Sequence, residues 1–295
     1  MIILRMSGGL GNQMFVYALY YALKNASKEV CIDDYTHYQK IGRADNNLET
    51  IFPLSYLKAN KKDYDRLTDS SMLLHRRVIR KLFGRKEKIY EEKDALIFDD
   101  SIFAQTDCYC IGYWQSQYYF QSVCKELIQQ FRFDFKHFPQ KALRYKEMIE
   151  NTVSVGIHIR HGDYLNPEFA PIYGGICTTA YYKSAISYIK KQVSDCTFYL
   201  FTDDADFGKE ASEQGMVYVD CTDANHGYID MALMSLCKHN IIANSSFSWW
   251  AAWLNRNPDK VVIAPNKWLN HKTGQDIYYG LVNVKIDENG EVTEE

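Results

Sequence analysis

The chain lacks several features that would assign it to a class at once. No apolar run approaches the ~20 residues that a bilayer span needs. The opening Met-Ile-Ile-Leu-Arg-Met-Ser-Gly-Gly is too short in its apolar part for a secretory signal and reads as a strand entering a loop. A cytoplasmic protein is therefore expected. An excess of positive charge is missing as well: the formal net charge is −3, so no nucleic-acid partner is expected. The eight cysteines include no CxxC pair, and Cys108-x-Cys110 has no second pair nearby. The thiols are expected to be reduced, with no zinc site and no disulfide. There is no internal repeat and no low-complexity tract.

What is present indicates a folded α/β chain. At 295 residues it exceeds the size at which one core usually keeps growing. Two domains are expected, residues 1–150 and 151–295, with the junction near 147–152. Apolar content is 46% and aromatic content 15%, with 23 Tyr that serve equally as core filler or as stacking surface. The second half alternates regularly. Strands are expected at 153–159, 197–202, 216–220, 240–244 and 260–264, the last clear strand. Helices between them start near Thr178, Ala205, Gly227 and Phe247. The first half opens as a strand (2–6), a glycine loop (7–11), a helix (12–25) and a strand (29–33). The stretch from about 60 to 145 is less regular and reads as helix-rich. Such alternation gives parallel sheets covered on both faces, with ligands at the carboxyl ends of strands in a cleft between the domains.

Strand, glycine loop, helix and then Asp33-Asp34 resemble a dinucleotide fingerprint, but the spacing fails. Reading Gly9 and Gly11 as the first pair places Met14 where the third glycine belongs, and its side chain would block close helix–strand packing. The loop with Gly11 and Asn12 either faces a substrate or simply joins strand to helix.

Three segments carry chemistry. In His158-Ile-Arg-His-Gly-Asp-Tyr164, alternate strand residues share a face, so His158 and Arg160 point together at the strand's end. A guanidinium there clasps phosphate or forms a surface pair with Asp163. In Asn244-Ser-Ser-Phe-Ser248, a helix starts beside a buried strand. Ser245 or Ser246 caps it, and its free N–H groups either bind an anion or are merely capped. In Thr202-Asp203-Asp204, Asp203 accepts hydrogen bonds from a ribose or a guanine edge, binds a metal, or caps the next helix.

Together these segments resemble the inverting α-1,2-fucosyltransferases, which use GDP-fucose. The resemblance rests on Gly8-Gly-Leu-Gly-Asn-Gln-Met-Phe15, on His158 to Tyr164, on Phe198 to Asp204, on Met234 to Leu254, and on Pro265 and Trp268. It implies a GT-B-type fold, with two Rossmann-like domains facing across a cleft. GDP-fucose would sit on the C-terminal domain, against Arg160, His161, Asp203, Asn244, Ser245, Ser246, Phe247 and Ser248. A galactose-terminated acceptor would lie on the N-terminal side, near Gly11 and Asn12. No metal or other cofactor is implied, because Arg160 and helix amides neutralise the departing diphosphate. Where the family usually carries a second Arg, this chain has His161. Asp163 and His158 are the candidate general bases. Two other readings are a GT-B transferase with a different nucleotide sugar and a non-catalytic glycan- or nucleotide-binding protein.

A basic stretch, His75 to Lys88, is interrupted by Val78, Ile79, Leu82 and Phe83. It reads either as a solvated helix face or as a peripheral contact with the inner membrane, on its cytoplasmic side.

Overall fold

Two parallel sheets, one in each half of the chain, organise the structure. It is a computed structural model that describes residues 1–40, 48–160, 166–222, 226–271 and 276–294. The chain divides into two compact units, Met1–Arg132 and Phe133–Glu295.

The first unit runs β1 (Ile2–Arg5), α1 (Leu10–Asn25), β2 (Val30–Asp33), α2 (Thr36–Lys40), α3 (Leu48–Ile51), α4 (Lys61–Leu67), α5 (Leu74–Phe83), β3 (Ile89–Glu91), β4 (Cys108–Ile111) and α6 (Cys124–Gln130). Its strands pair in the order β2-β1-β4-β3, every pairing parallel. α1 is buried along most of its length because Met14, Phe15, Ala18, Leu19, Ala22 and Leu23 follow helical spacing. β3 and β4 fall where the sequence reads as irregular and helix-rich. β3 is three residues long and mostly exposed, so it carries no apolar alternation to read.

The second unit continues with α7 (Gln140–Glu150), β5 (Val153–Ile159), α8 (Ala170–Tyr173), α9 (Thr179–Gln192), β6 (Cys196–Thr202), α10 (Ala205–Glu213), β7 (Val217–Tyr218), α11 (Gly227–Ser235), β8 (His239–Ile241), α12 (Ser246–Leu254), β9 (Val262–Pro265), β10 (Val284–Ile286) and β11 (Val292–Glu294). The sheet order is β11-β10-β9-β8-β5-β6-β7, parallel except for the antiparallel edge strand β11. β10 and β11 extend the sheet beyond the strand at 260–264 expected to be the last clear one. The division between units falls before α7, whereas the sequence reading placed it after that helix. α7 belongs with the second sheet: the Tyr145 hydroxyl donates to the carbonyl of Tyr218 at 3.0 Å.

β5 lies inside the sheet, between β8 and β6, and its two faces differ. Val155, Ile157 and Ile159 pack in one core with Tyr181, Ala185 and Ile189 of α9. Ser154, Gly156 and His158 face the other way. A Cβ at Gly156 would press on Met234 and Cys237, so glycine lets the end of α11 lie close on the strand. Each unit is thus a Rossmann-like α/β layer structure, as the GT-B expectation requires. Among the described residues, no helix is long and apolar enough to cross a membrane.

Candidate functional site

The site grows from the register of the second sheet. β5 and β6 pair with Ile159 opposite Thr202, so the next residues, Arg160 and Asp203, emerge side by side. Arg160 Nη1 lies 2.9 Å from Asp203 Oδ2. Capping of α10 falls to the neighbouring carboxylate instead. Asp204 Oδ1 accepts the N–H groups of Asp206 and Phe207 at 3.1 and 3.0 Å. This division of labour leaves Asp203 to the guanidinium. Both partners are about one-third exposed, so the pair contributes at most ~1 kcal/mol to stability. Its value lies in holding a planar cation at the strand's end.

Arg160 faces a cavity of about 350 Å³ at the carboxyl ends of β5, β6 and β7. His158, Arg160, Asp203 and Phe247, all expected from the sequence, lie in its wall; Tyr218, Asp220, Thr222 and Asp230 join them. His158 is 5% exposed and packs on the Phe247 ring at 5.1 Å between centroids. Burial, helped by the positive charge of Arg160, depresses its pKa to about 3. Its buried Nδ1 has no hydrogen-bond partner among the described residues. A neutral imidazole of that kind is a poor proton acceptor at neutral pH but is ready to hydrogen-bond a ligand.

Polarity differs along the wall. The β5–β6 side carries Arg160. The β7–α11 side carries Asp220, which pairs with Lys141 at 3.0 Å, and Asp230, which accepts from Thr222 Oγ1 at 2.7 Å. Burial pushes the Asp230 carboxyl up to about 7, and nearby Asp220 adds to the rise.

The serine segment divides in two. Asn244 is buried, and its amide donates to the carbonyls of Tyr173 and Trp268, each at 3.2 Å. Ser248 is fully buried, and its hydroxyl turns back onto the carbonyls of Ala243 and Ser245. These two side chains, expected at the donor, brace the loop through backbone carbonyls. Ser245 is the N-cap of α12 and makes no side-chain cap bond, so the first-turn amides of Ser246 to Ser248 receive no hydroxyl from it. Ser246 follows in that turn, and Phe247 forms part of the cavity wall. His161 and Asp163 lie outside the described residues.

In the first unit, the loop after β1 is tightly wired. Gly8 has φ +75°, and a Cβ there would collide with the side-chain amide of Asn12. The Gly8 carbonyl accepts from Tyr38 Oη at 2.9 Å and Gln13 Nε2 at 3.1 Å. Asn12 Oδ1 accepts from Gln115 Nε2 at 2.9 Å, and Gly11 is buried in the first turn of α1. Ser7 Oγ is buried without a partner among the described residues. Here the expected pair Gly11 and Asn12 gains Gln115, which lies far away in sequence.

The model of glycosyl transferase family 11 matches residues 1–279. The chain belongs to that family. As a family 11 glycosyltransferase it has relatives of nearly its own length. The O-antigen biosynthesis glycosyltransferase WbnK of Escherichia coli is 31% identical over 287 residues, covering 89% of this chain and 93% of that one. An alpha-1,2-colitosyltransferase of Escherichia coli is 31% identical over 280 residues, covering 92% and 93%. A galactoside alpha-(1,2)-fucosyltransferase 1 of Ateles belzebuth is 27% identical over 103 residues, 34% of this chain and 28% of its own.

Asp230, Thr222 and Asp220 are among the wall residues that sequence reasoning missed. A signal for Asp230 existed: it is the one carboxylate in the helix Gly-Tyr-Ile-Asp-Met-Ala-Leu-Met-Ser, otherwise mostly apolar. For Asp220 the signal was its position just beyond a strand, which becomes informative once β7 is known to flank β6.

Proposed function

We propose that this family 11 glycosyltransferase transfers L-fucose from GDP-fucose to a terminal galactoside in α-1,2 linkage, with inversion and without a metal. The observation that carries the reading is Arg160, held by Asp203 at the mouth of β5 and facing a cavity of about 350 Å³. A fixed guanidinium beside the uncapped start of α12 suits a diphosphate leaving group. The carboxyls at the β7–α11 side suit the opposite end of a nucleotide. Asp230, oriented by Thr222, accepts from guanine N1–H and N2–H₂. Asp203 then serves as the brace of Arg160 rather than as the reader of the base.

In this mechanism the galactoside hydroxyl attacks C1 from the side opposite GDP, through an oxocarbenium-like state. Arg160 and the first-turn amides of α12 take up the charge that develops on the diphosphate, which is the role a divalent cation plays elsewhere. His158, neutral and buried, donates or accepts a hydrogen bond at the reacting end and removes no proton. Asn12, fixed by Gln115, is assigned to the acceptor. The work is placed in the cytoplasm, in assembly of a surface polysaccharide, in keeping with the O-antigen role that the name of one relative states.

Two relatives whose names specify α-1,2 transfer support the linkage. One of them transfers colitose by name. Colitose is L-fucose without its 3-hydroxyl, so GDP-colitose is the second donor to weigh. Purified protein given lactose and each of GDP-fucose, GDP-colitose, GDP-mannose and UDP-galactose decides the matter. Transfer from GDP-fucose, persisting in EDTA, with NMR showing an α-1,2 product, is expected. Preference for GDP-colitose would move the assignment to that sugar. Transfer from the UDP sugar alone would overturn it.

A further inference from the structure

Helix α5 is amphipathic, but it is mounted the wrong way round for a globular surface. At about 100° per residue, Leu74, Val78, Ile79, Leu82 and Phe83 occupy one half of its circumference. Arg76, Arg77, Arg80 and Lys81 occupy the other half. An ordinary surface helix buries the apolar half. Here no residue of the helix is buried. Leu74, Val78, Leu82 and Phe83 are 78%, 56%, 69% and 71% exposed.

What fastens the helix is its polar side. The Arg80 guanidinium donates to the carbonyls of Asp69 and Ser71 at 2.9 and 2.6 Å, and lies 3.5 Å from the Asp69 carboxylate. The apolar stripe lies on the far side of the helix from that anchor. Met72 and Leu73, just before the helix, are also exposed and extend the patch. Such a contiguous apolar surface marks a docking face.

Charge selects the occupant. Between His75 and Lys88 there are seven Lys and Arg against one Glu, in a chain whose net charge is −3. Lys88 is drawn to Asp107 and Arg85 to Glu87. Arg76, Arg77 and Lys81 form no ion pair among the described residues and flank the apolar stripe, where long stems let the charges reach outward. We propose that α5 docks the protein on an anionic phospholipid bilayer. The apolar half enters the headgroup–acyl boundary while the flanking cations meet lipid phosphates. Membrane docking of this kind does not depend on which sugar is transferred. It would concentrate the protein where a lipid-linked acceptor resides.

The test is co-sedimentation of the full chain with vesicles of phosphatidylcholine alone or mixed with phosphatidylglycerol. Binding to the mixed vesicles at low salt should exceed binding to phosphatidylcholine at least ~10-fold, and should be lost near ~0.5 M salt. Two variants separate the contributions. Arg76→Glu/Arg77→Glu/Lys81→Glu removes the charge, and Leu82→Ser/Phe83→Ser removes the apolar anchor at constant charge. Both should unfold at the wild-type temperature, since none of these side chains is buried, and both should lose vesicle binding. Absence of binding to the mixed vesicles at low salt overturns the proposal. So does wild-type binding by the serine variant. A dimer that the serine variant converts to a monomer, with vesicles unbound, overturns it in favour of a protein contact.

Discussion

The two units end their second strand in the same dipeptide and use it in opposite ways. In the first, β1 ends at Arg5 and β2 at Asp33, register partners followed by Asp34. In the second, β5 leads into Arg160 and β6 into Asp203, followed by Asp204. Asp33 is consumed by structure: its carboxylate accepts from Tyr109 Oη at 2.7 Å and from the N–H groups of Tyr35 and Thr36. Asp34 is the one that pairs with a cation, Lys58, at 3.0 Å. In the second unit the later aspartate caps the helix and the earlier one holds Arg160. The dipeptide alone therefore does not reveal which carboxylate is functional. What decides is which of the two the following helix takes as its cap.

The contrast can be broken by substitution. Arg160→Ala should lower kcat/KM by ~100-fold or more, the scale of losing a key electrostatic contact in the transition state. Its thermal midpoint should barely move. A loss under ~3-fold in initial-rate assays would remove Arg160 from the machinery. Asp33→Ala and Asp203→Ala should then show crossed phenotypes. Asp33→Ala should cost about 2–3 kcal/mol in denaturant unfolding, because it orphans a buried tyrosine hydroxyl and two helix amides, and should leave GDP affinity alone. Asp203→Ala should cost under ~1 kcal/mol while raising the donor KM. Equal stability losses would erase the distinction.

Asp230 supplies a pH test. With its carboxyl near 7, the ionised form that accepts from a base N–H becomes populated as pH rises. GDP affinity measured calorimetrically should therefore strengthen about 10-fold between about pH 6 and about pH 8, and level off above. Asp230→Asn should flatten that profile; an unchanged slope would assign the titration elsewhere. The smallest effect belongs to Asp204→Ala, which removes a helix cap and should cost about 1 kcal/mol with little change in kcat.

Much of the second unit was legible because its strands and helices keep clean periods. β5, β6, α9 and α12 lie where alternation and helical spacing put them. Arg160, Asp203 and Phe247 could be named because they sit at strand ends or at a helix start. For Asn244 and Ser248 position suggested contact with a ligand, and it did not reveal that tertiary packing also sets their side chains against backbone carbonyls. Gln115 was out of reach of local patterns, since a contact with Asn12 across the first unit brings it into place; Asp230 stood out as a lone carboxylate in an apolar helix, but only the fold puts it in the cavity wall. For α5 the period was readable and the orientation was not, because a helical wheel is silent about which half faces inward.

The role proposed for Arg160 is to act on a diphosphate rather than on a nucleoside or a sugar. Calorimetric binding of GDP and of guanosine to wild type and to Arg160→Ala tests that directly. Wild type should bind GDP far more tightly than guanosine, and the variant should lose most of that preference while keeping its guanosine affinity. A variant that retains the full preference for GDP would contradict the assignment.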